Sequence, residues 1–150
     1  MSEKPVSPLD KLRELADKDL TIDKSQLDVE SIRTPKLHNK WLRLLYEKKE
    51  ELLALEQKKT VVEKDTWLYY NGKADDDVYK KKGVFGLKVM KGDLSRFIES
   101  DTEIHKIQFL IERKKSEMEF IQKTIEEINR RTFHVNNTIK FLQFINGING

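Results

Sequence analysis

The chain reads as a mainly α protein whose long helices form a bundle or coiled coil and associate with further copies of themselves. Three observations carry that reading. In 150 residues there are only six glycines and three prolines, too few to punctuate a fold of many short elements. Charged residues make up 37% and hydrophobic ones also 37%, the balance of exposed helices that complete their core against neighbours. Residues 101–146 repeat apolar side chains at spacings of three and four with neither glycine nor proline, the pattern of helices that wind around a partner.

Taken in order, residues 1–8 hold two prolines and are expected to be disordered. Leu9, Leu12, Leu15 and Ala16 then share one face of a short helix, which Asp19-Leu20-Thr21-Ile22 ends. Asp23 has the carboxylate that can satisfy free amides at a helix start. Leu27, Val29 and Ile32 extend the apolar face to Pro35, which is expected to start the next helix or kink a continuing one. From Lys36 to about Tyr70 nothing breaks a helix, and Leu37, Trp41, Leu44, Leu45, Leu52, Leu55, Val62 and Tyr69 keep helical spacing. Such a helix is about 50 Å long at roughly 1.5 Å per residue. Asn71-Gly72-Lys73 is a turn, since Asn and Gly tolerate positive φ. Residues 71–92 concentrate the turn formers, and a small β element is expected near 84–91, carried by Val84 to Met90. Asp93 is placed to cap a short helix through Ile98.

The last helix starts at Ser100, Asp101 or Thr102. Its heptad puts Ile104, Ile111, Met118, Ile125, Thr132, Ile139 and Asn146 at a, and Ile107, Lys114, Ile121, Ile128, Val135 and Leu142 at d. Ten of these thirteen slots are apolar in unbroken register, a seam suited to holding subunits together. The alternative is that the helix folds back on residues 36–70 of its own chain. Phe133, Phe141 and Phe144 lie off the seam and widen it.

Chemistry is sparse. There is no cysteine, which excludes disulfides, thiolate metal sites and a cysteine nucleophile. His38, His105 and His134 lie far apart with no carboxylate at ligand spacing, so no metal is expected. Asp75-Asp76-Asp77 suits a solvated loop or helix start better than a cation site. Gly83 to Lys88 lacks the spacing and hydroxyl of a phosphate-binding loop. No signal peptide and no run of roughly 18 apolar residues is seen, so neither membrane nor cofactor is expected, and an enzyme is disfavoured.

The net charge of +3 is too small to prove an anionic partner, but it is unevenly spread. Residues 1–35 carry −2, from six basic and eight acidic side chains; residues 36–64 carry +3, from eight and five. Basic residues then interleave with aromatics: Lys58, Lys59, Lys64, Trp67, Tyr69, Tyr70 and Lys73, followed by Tyr79, Lys80, Lys81, Lys82, Phe85, Lys88 and Lys91. Single-stranded nucleic acid is bound by cationic grooves that follow phosphates and by rings on which bases stack. Lysine in such density favours phosphate contact over reading of sequence. The bland reading is that Trp67 and Tyr69 are core and Lys80–Lys82 a solvated loop.

The sequence resembles the UvsY family, the recombination mediators of large tailed bacteriophages. The resemblance starts at Leu9-Asp10-Lys11-Leu12 and Asp19-Leu20-Thr21-Ile22-Asp23, with Leu27 and Glu30 following. It continues through Leu37-His38-Asn39-Lys40-Trp41-Leu42, Lys48-Lys49-Glu50 and Leu55-Glu56-Gln57-Lys58-Lys59. Its most distinctive piece is Lys64 leading into Tyr69-Tyr70-Asn71-Gly72-Lys73, and it closes with Arg131-Thr132-Phe133-His134-Val135 and Phe144-Ile145-Asn146-Gly147. The resemblance implies a ring-like homo-oligomer that binds single-stranded DNA in the cytoplasm of the infected bacterium. It also implies contact with the phage recombinase and the phage single-strand-binding protein, loading the first where the second is bound, with no catalysis. The family pairs a lysine with an arginine two residues on; Lys64 matches the lysine, but Thr66 stands in place of the arginine. On this reading the chain is a single recombination-mediator domain over 1–150. Residues 9–100 form its helical and β DNA-binding part, and 101–146 its assembly helix. Competing readings are a prefoldin-like chaperone, two long helices flanking a β region, and a coiled-coil scaffold with no ligand.

Overall fold

Ser7 opens the first helix. Its hydroxyl accepts the Asp10 amide at 3.1 Å, and Pro8 takes the first helical position, where its missing N–H costs nothing. The computed structural model describes residues 3–86 and 90–147. The helices among them are α1 (Pro8–Leu20), α2 (Leu27–Tyr70), α3 (Asp76–Lys82), α4 (Leu94–Glu99) and α5 (Thr102–Ile145). None is long and apolar enough to cross a membrane.

Two expectations change and a third narrows. Asp23 does not cap α2: it accepts the Ser25 amide at 2.9 Å and the Ser25 hydroxyl at 2.6 Å, making a turn ahead of the helix. Of the two roles open to Pro35, starting a helix falls away and the continuing helix remains: it lies inside α2, where neighbouring contacts outweigh the lost amide bond. Among the described residues there is no strand: Lys80–Lys82 end the helix α3, and Val84–Gly86 and Met90 have irregular backbone. Leu87, Lys88 and Val89, the middle of the expected β element, lie outside the described residues.

The chain divides into two compact units, and both α2 and α5 run through the two. Unit 1 comprises residues 1–49 and 116–150. Its core joins Leu12 and Ala16 of α1, Leu37, Trp41 and Leu45 of α2, and Ile121 and Ile128 of α5, with Met118 and Ile125 packed partly buried against it. Asp19, itself buried, accepts the Trp41 indole N–H at 2.9 Å and the Lys40 ammonium at 2.8 Å, while the Asp19 carbonyl accepts Arg33. The Lys40 ammonium and the indole N–H offset the desolvation of that carboxylate. Arg131 of α5 is buried against Glu30, donating to its carboxylate, its carbonyl and the Thr34 hydroxyl. This clamp sits on the turn next to Pro35.

Unit 2 comprises residues 50–115. Here Ile104, Ile107 and Ile111 of α5 are buried along with Thr66 of α2 and Leu94 of α4. Lys114, the polar d slot of the heptad, is paired with Glu51.

The α5 stripe is therefore largely covered by its own chain. Ile104, Ile107, Ile111, Ile121, Ile128 and Val135 are buried, Met118, Ile125 and Leu142 half-buried, and Ile139 exposed. The buried face also takes in Glu117, Thr124 and Arg131, each seven residues from the next. It is thus rotated from the heptad seam towards the d side, leaving Thr132 and Ile139 at a exposed.

Candidate nucleic-acid interface

The basic and aromatic residues singled out in the sequence all fall in unit 2. Helix α2 delivers the first of them. It ends in a tight C-terminal motif: Lys73 N–H bonds the Leu68 carbonyl at 2.9 Å and Gly72 N–H the Tyr69 carbonyl at 3.2 Å, with Gly72 at φ 71°. Glycine adopts that left-handed backbone without penalty. The turn reverses the chain so that Lys73 comes back over the helix end, its ammonium 5.2 Å from the centre of the Trp67 ring.

Helix α3 delivers the second group. Asp76 and Asp77 lie in its first turn and Lys80, Lys81 and Lys82 in its last. Carboxylates at the N-terminus and ammonium groups at the C-terminus both complement the helix dipole, so the acidic triplet is a helix start. Gly83, at φ 82°, closes the helix. Lys82 reaches back to within 5.4 Å of the Tyr69 ring centre.

Between these elements the aromatics lock together. Tyr69 stacks on Tyr79 at 5.4 Å, and Tyr70 meets Phe85 edge-on at 4.9 Å; Phe85 and Tyr70 both touch Phe97 of α4. Their hydroxyls are engaged as well. Tyr69 donates to the Gly83 carbonyl at 3.1 Å, Tyr79 to the Tyr69 carbonyl at 2.9 Å, and Tyr70 to Asp101 at 2.8 Å. Asp101 also accepts the Glu103 amide at 2.9 Å and so caps α5. Burial, and after it the bond to Asp101, pushes the Tyr70 hydroxyl up to about 12.

The outcome is a small cluster. Lys64 and Trp67 stand three residues apart on one exposed face of α2, while Thr66 between them is buried. A cleft of about 380 Å³, which neither of them lines, is formed by Lys73, Lys81 and Lys82, by Asp65 and Asp75, and by Leu68, Ala74 and Val78. Lys64, Lys81 and Lys91 are exposed and make no ion pair among the described residues.

Other residues of the expected site are not gathered there. Lys58 is about 120° around α2 from Lys64 at 100° per residue, and Lys59 is paired with Glu63 at 3.6 Å. Lys80 and Lys91 do not line the cleft, and Lys88 lies outside the described residues. Phe97 and Asp101 hold the site together without having been singled out for it. Asp101 is 31 residues from Tyr70 in sequence, and no local spacing connects them. No group of histidines and carboxylates able to hold a metal occurs among the described residues.

Comparison with known proteins agrees with this architecture. A family model described as "Recombination, repair and ssDNA binding protein UvsY" matches residues 15–148. Recombination protein uvsY of Enterobacteria phage T4 is 25% identical over 127 residues, covering 85% of this chain and 89% of that one. Crystal structures of the bacteriophage T4 recombination mediator protein UvsY share the fold. One lattice form superposes with a TM-score of 0.79 at 23% identity, covering 92% of this chain and 99% of that one. Another gives 0.76 at 24% identity, with 92% and 97% covered. With a family match over nearly its whole length, the chain belongs to the UvsY family of recombination, repair and single-stranded-DNA-binding proteins.

Proposed function

We propose that this protein is a recombination mediator. It binds single-stranded DNA through the lysines at the end of unit 2 and assembles with copies of itself. It promotes loading of the phage recombinase onto DNA covered by the single-strand-binding protein, in the cytoplasm of the infected bacterium and without chemistry of its own. The observation that carries the DNA-binding part is the convergence of Lys73, from the turn after α2, with Lys81 and Lys82 of α3 on one cleft, with Lys64 exposed on the last turns of α2. Ammonium groups so placed suit a flexible phosphate chain, and nothing in the region offers the fixed donor pattern that reading base edges demands. The description of the family as single-stranded-DNA binding supports the same assignment.

Lys58, Lys59, Lys80, Lys88 and Lys91 belong to this proposal as outlying contacts along the path of a longer strand. Self-association is proposed to use what the chain leaves uncovered. Phe133, Phe141, Phe144 and Ile145 of α5 are all more than half exposed, an apolar surface of the sort that marks an interface. The heptad residues then act mainly by holding α5 straight within its own subunit, with Ile139 at the margin.

The test is Lys64→Ala combined with Lys73→Ala. Affinity for a labelled oligothymidylate at low salt is expected to fall. The slope of log K against log salt is expected to flatten by roughly 1.4, about 0.7 for each phosphate of a single strand that the variant no longer neutralises. An unchanged slope would remove this surface from the assignment.

A further inference from the structure

Trp67 differs from the clustered rings of unit 2. Tyr69, Tyr70, Tyr79, Phe85 and Phe97 are engaged with one another at centroid distances of 4.9–6.4 Å, and the three hydroxyls are bonded. All five are half-buried, and a base stacking on them competes with these ring contacts. Trp67 takes part in none of those ring contacts. It keeps 39% of its surface exposed, and the Lys73 ammonium sits above its ring at 5.2 Å. Lys64 lies one helical turn away on the same exposed face.

An indole held on a rigid helix end, flanked by two ammonium groups, has the parts needed to seat one nucleotide. We infer that Trp67 is the stacking platform for a base of single-stranded nucleic acid, with Lys73 and Lys64 meeting the phosphates on either side of it. The tyrosine pair that follows is scaffold and makes no base contact. The base lies on the exposed part of the indole, and the Lys73 ammonium turns from the ring towards the adjoining phosphate. Because every base offers a π-face, the platform is indifferent to sequence. The buried Thr66 makes no contact with the strand; the side chain next to it in sequence does. This inference rests on the strand-binding reading of unit 2 and sharpens it to one residue and one role.

The chain supplies its own probe. It has two tryptophans. Trp41 is 0% exposed in the core of unit 1, its N–H held by Asp19, so no base can reach it. Quenching of intrinsic fluorescence by oligothymidylate therefore reports Trp67 alone, while anisotropy of the labelled oligonucleotide reports binding independently. In the full-length protein, saturating oligothymidylate is expected to quench the emission of the Trp67 component. Trp67→Phe retains a ring and keeps affinity within a few-fold, but its remaining emission no longer responds. Trp67→Leu keeps apolar bulk without a stacking face. It is expected to weaken binding roughly fivefold to hundredfold, the size of one base–aromatic stack, with an unchanged salt slope because no charge is removed. A loss of fold would instead show in the helical circular dichroism of the variant.

Binding by anisotropy with no quenching in the unaltered protein overturns the inference and leaves the strand-binding reading standing. So does a Trp67→Leu variant that binds as tightly as the unaltered protein. Absence of any binding at low salt overturns both.

Discussion

Arg131 is the most costly side chain to place in this molecule. It is 1% exposed, and its guanidinium is held by the carboxylate and carbonyl of Glu30 and the hydroxyl of Thr34, with Nε left without a partner among the described residues. A buried ion pair adds little over an apolar pair of the same shape, but removing one partner strands the other charge in a poor solvent for it. Arg131→Met is therefore expected to lower stability to urea by about 3–5 kcal/mol. Adding Glu30→Gln to the same chain restores a good part of that loss, because the stranded carboxylate is gone. A single variant within about 1 kcal/mol of the unaltered protein would show that Arg33, 3.9 Å from the Glu30 carboxylate, takes over its pairing. Glu30 and Arg131 also explain why the clamp is invisible to local pattern: 101 positions separate them. Only in the folded chain does an ordinary-looking arginine of a charged helix become a core residue.

Between elements, the most informative contact is Tyr70 with Asp101, which ties the end of α2 to the start of α5 within unit 2. The Tyr70 hydroxyl titrates at about 12 in the folded chain, raised first by burial and then by Asp101, against about 10 for an unperturbed tyrosine. The folded state thus holds this proton more tightly than the unfolded one. The contribution is complete below about pH 10 and is lost as pH rises from about 10 to about 12, where the unfolded chain ionises first. Comparison with Tyr70→Phe isolates it from the lysines that titrate in the same range. The stability difference between the two proteins is expected to be level below about pH 10 and to shift against the unaltered protein above it. Curves that stay parallel through that window would remove the coupling. The same contact shows how elements are and are not legible. The end of the long helix at Tyr70 and the turn at Asn71-Gly72 follow from periodicity and from glycine at positive φ, and both stand, while the helix starts earlier than Lys36, at Leu27. Asp75-Asp76-Asp77 left a solvated loop and a helix start both open in the sequence, and the lysine run was read as belonging to a turn-rich region. Their order, acids first and lysines last, is that of a short helix with its dipole complemented.

For the molecule as a whole, the proposed self-association turns on the faces left bare. Phe133, Phe141 and Phe144 fall within a sector of about 80° on α5 at 100° per residue, and Phe144 is 79% exposed. Replacing Phe141 and Phe144 with Ser is expected to give smaller species in light scattering with helicity retained. Because linked sites reinforce one another, the same variant is expected to bind oligothymidylate roughly tenfold or more weakly although no DNA contact is altered. A particle of unchanged mass would take the assembly surface elsewhere. Substitution of Ile128 would not serve as that test: it is 0% exposed in the core of unit 1, and a cavity or charge there attacks the subunit itself.

Composition and spacing were enough to specify a protein of long helices, an apolar stripe along α5, and the stretch in which cations and rings alternate. These are local properties, set by propensity and by the 3.6-residue period, and they need no knowledge of neighbours. Folding in three dimensions settled which partner covers the apolar stripe and which ring stays free. An apolar face states that something must cover it, and says nothing of whether the cover is the same chain or another. Likewise Trp67, Tyr69 and Tyr70 are near-equivalents as letters. What separates them is that the rings of α3, α4 and the segment between, brought in by long-range packing, pack against the two half-buried tyrosines and leave the tryptophan outside their cluster, 39% exposed.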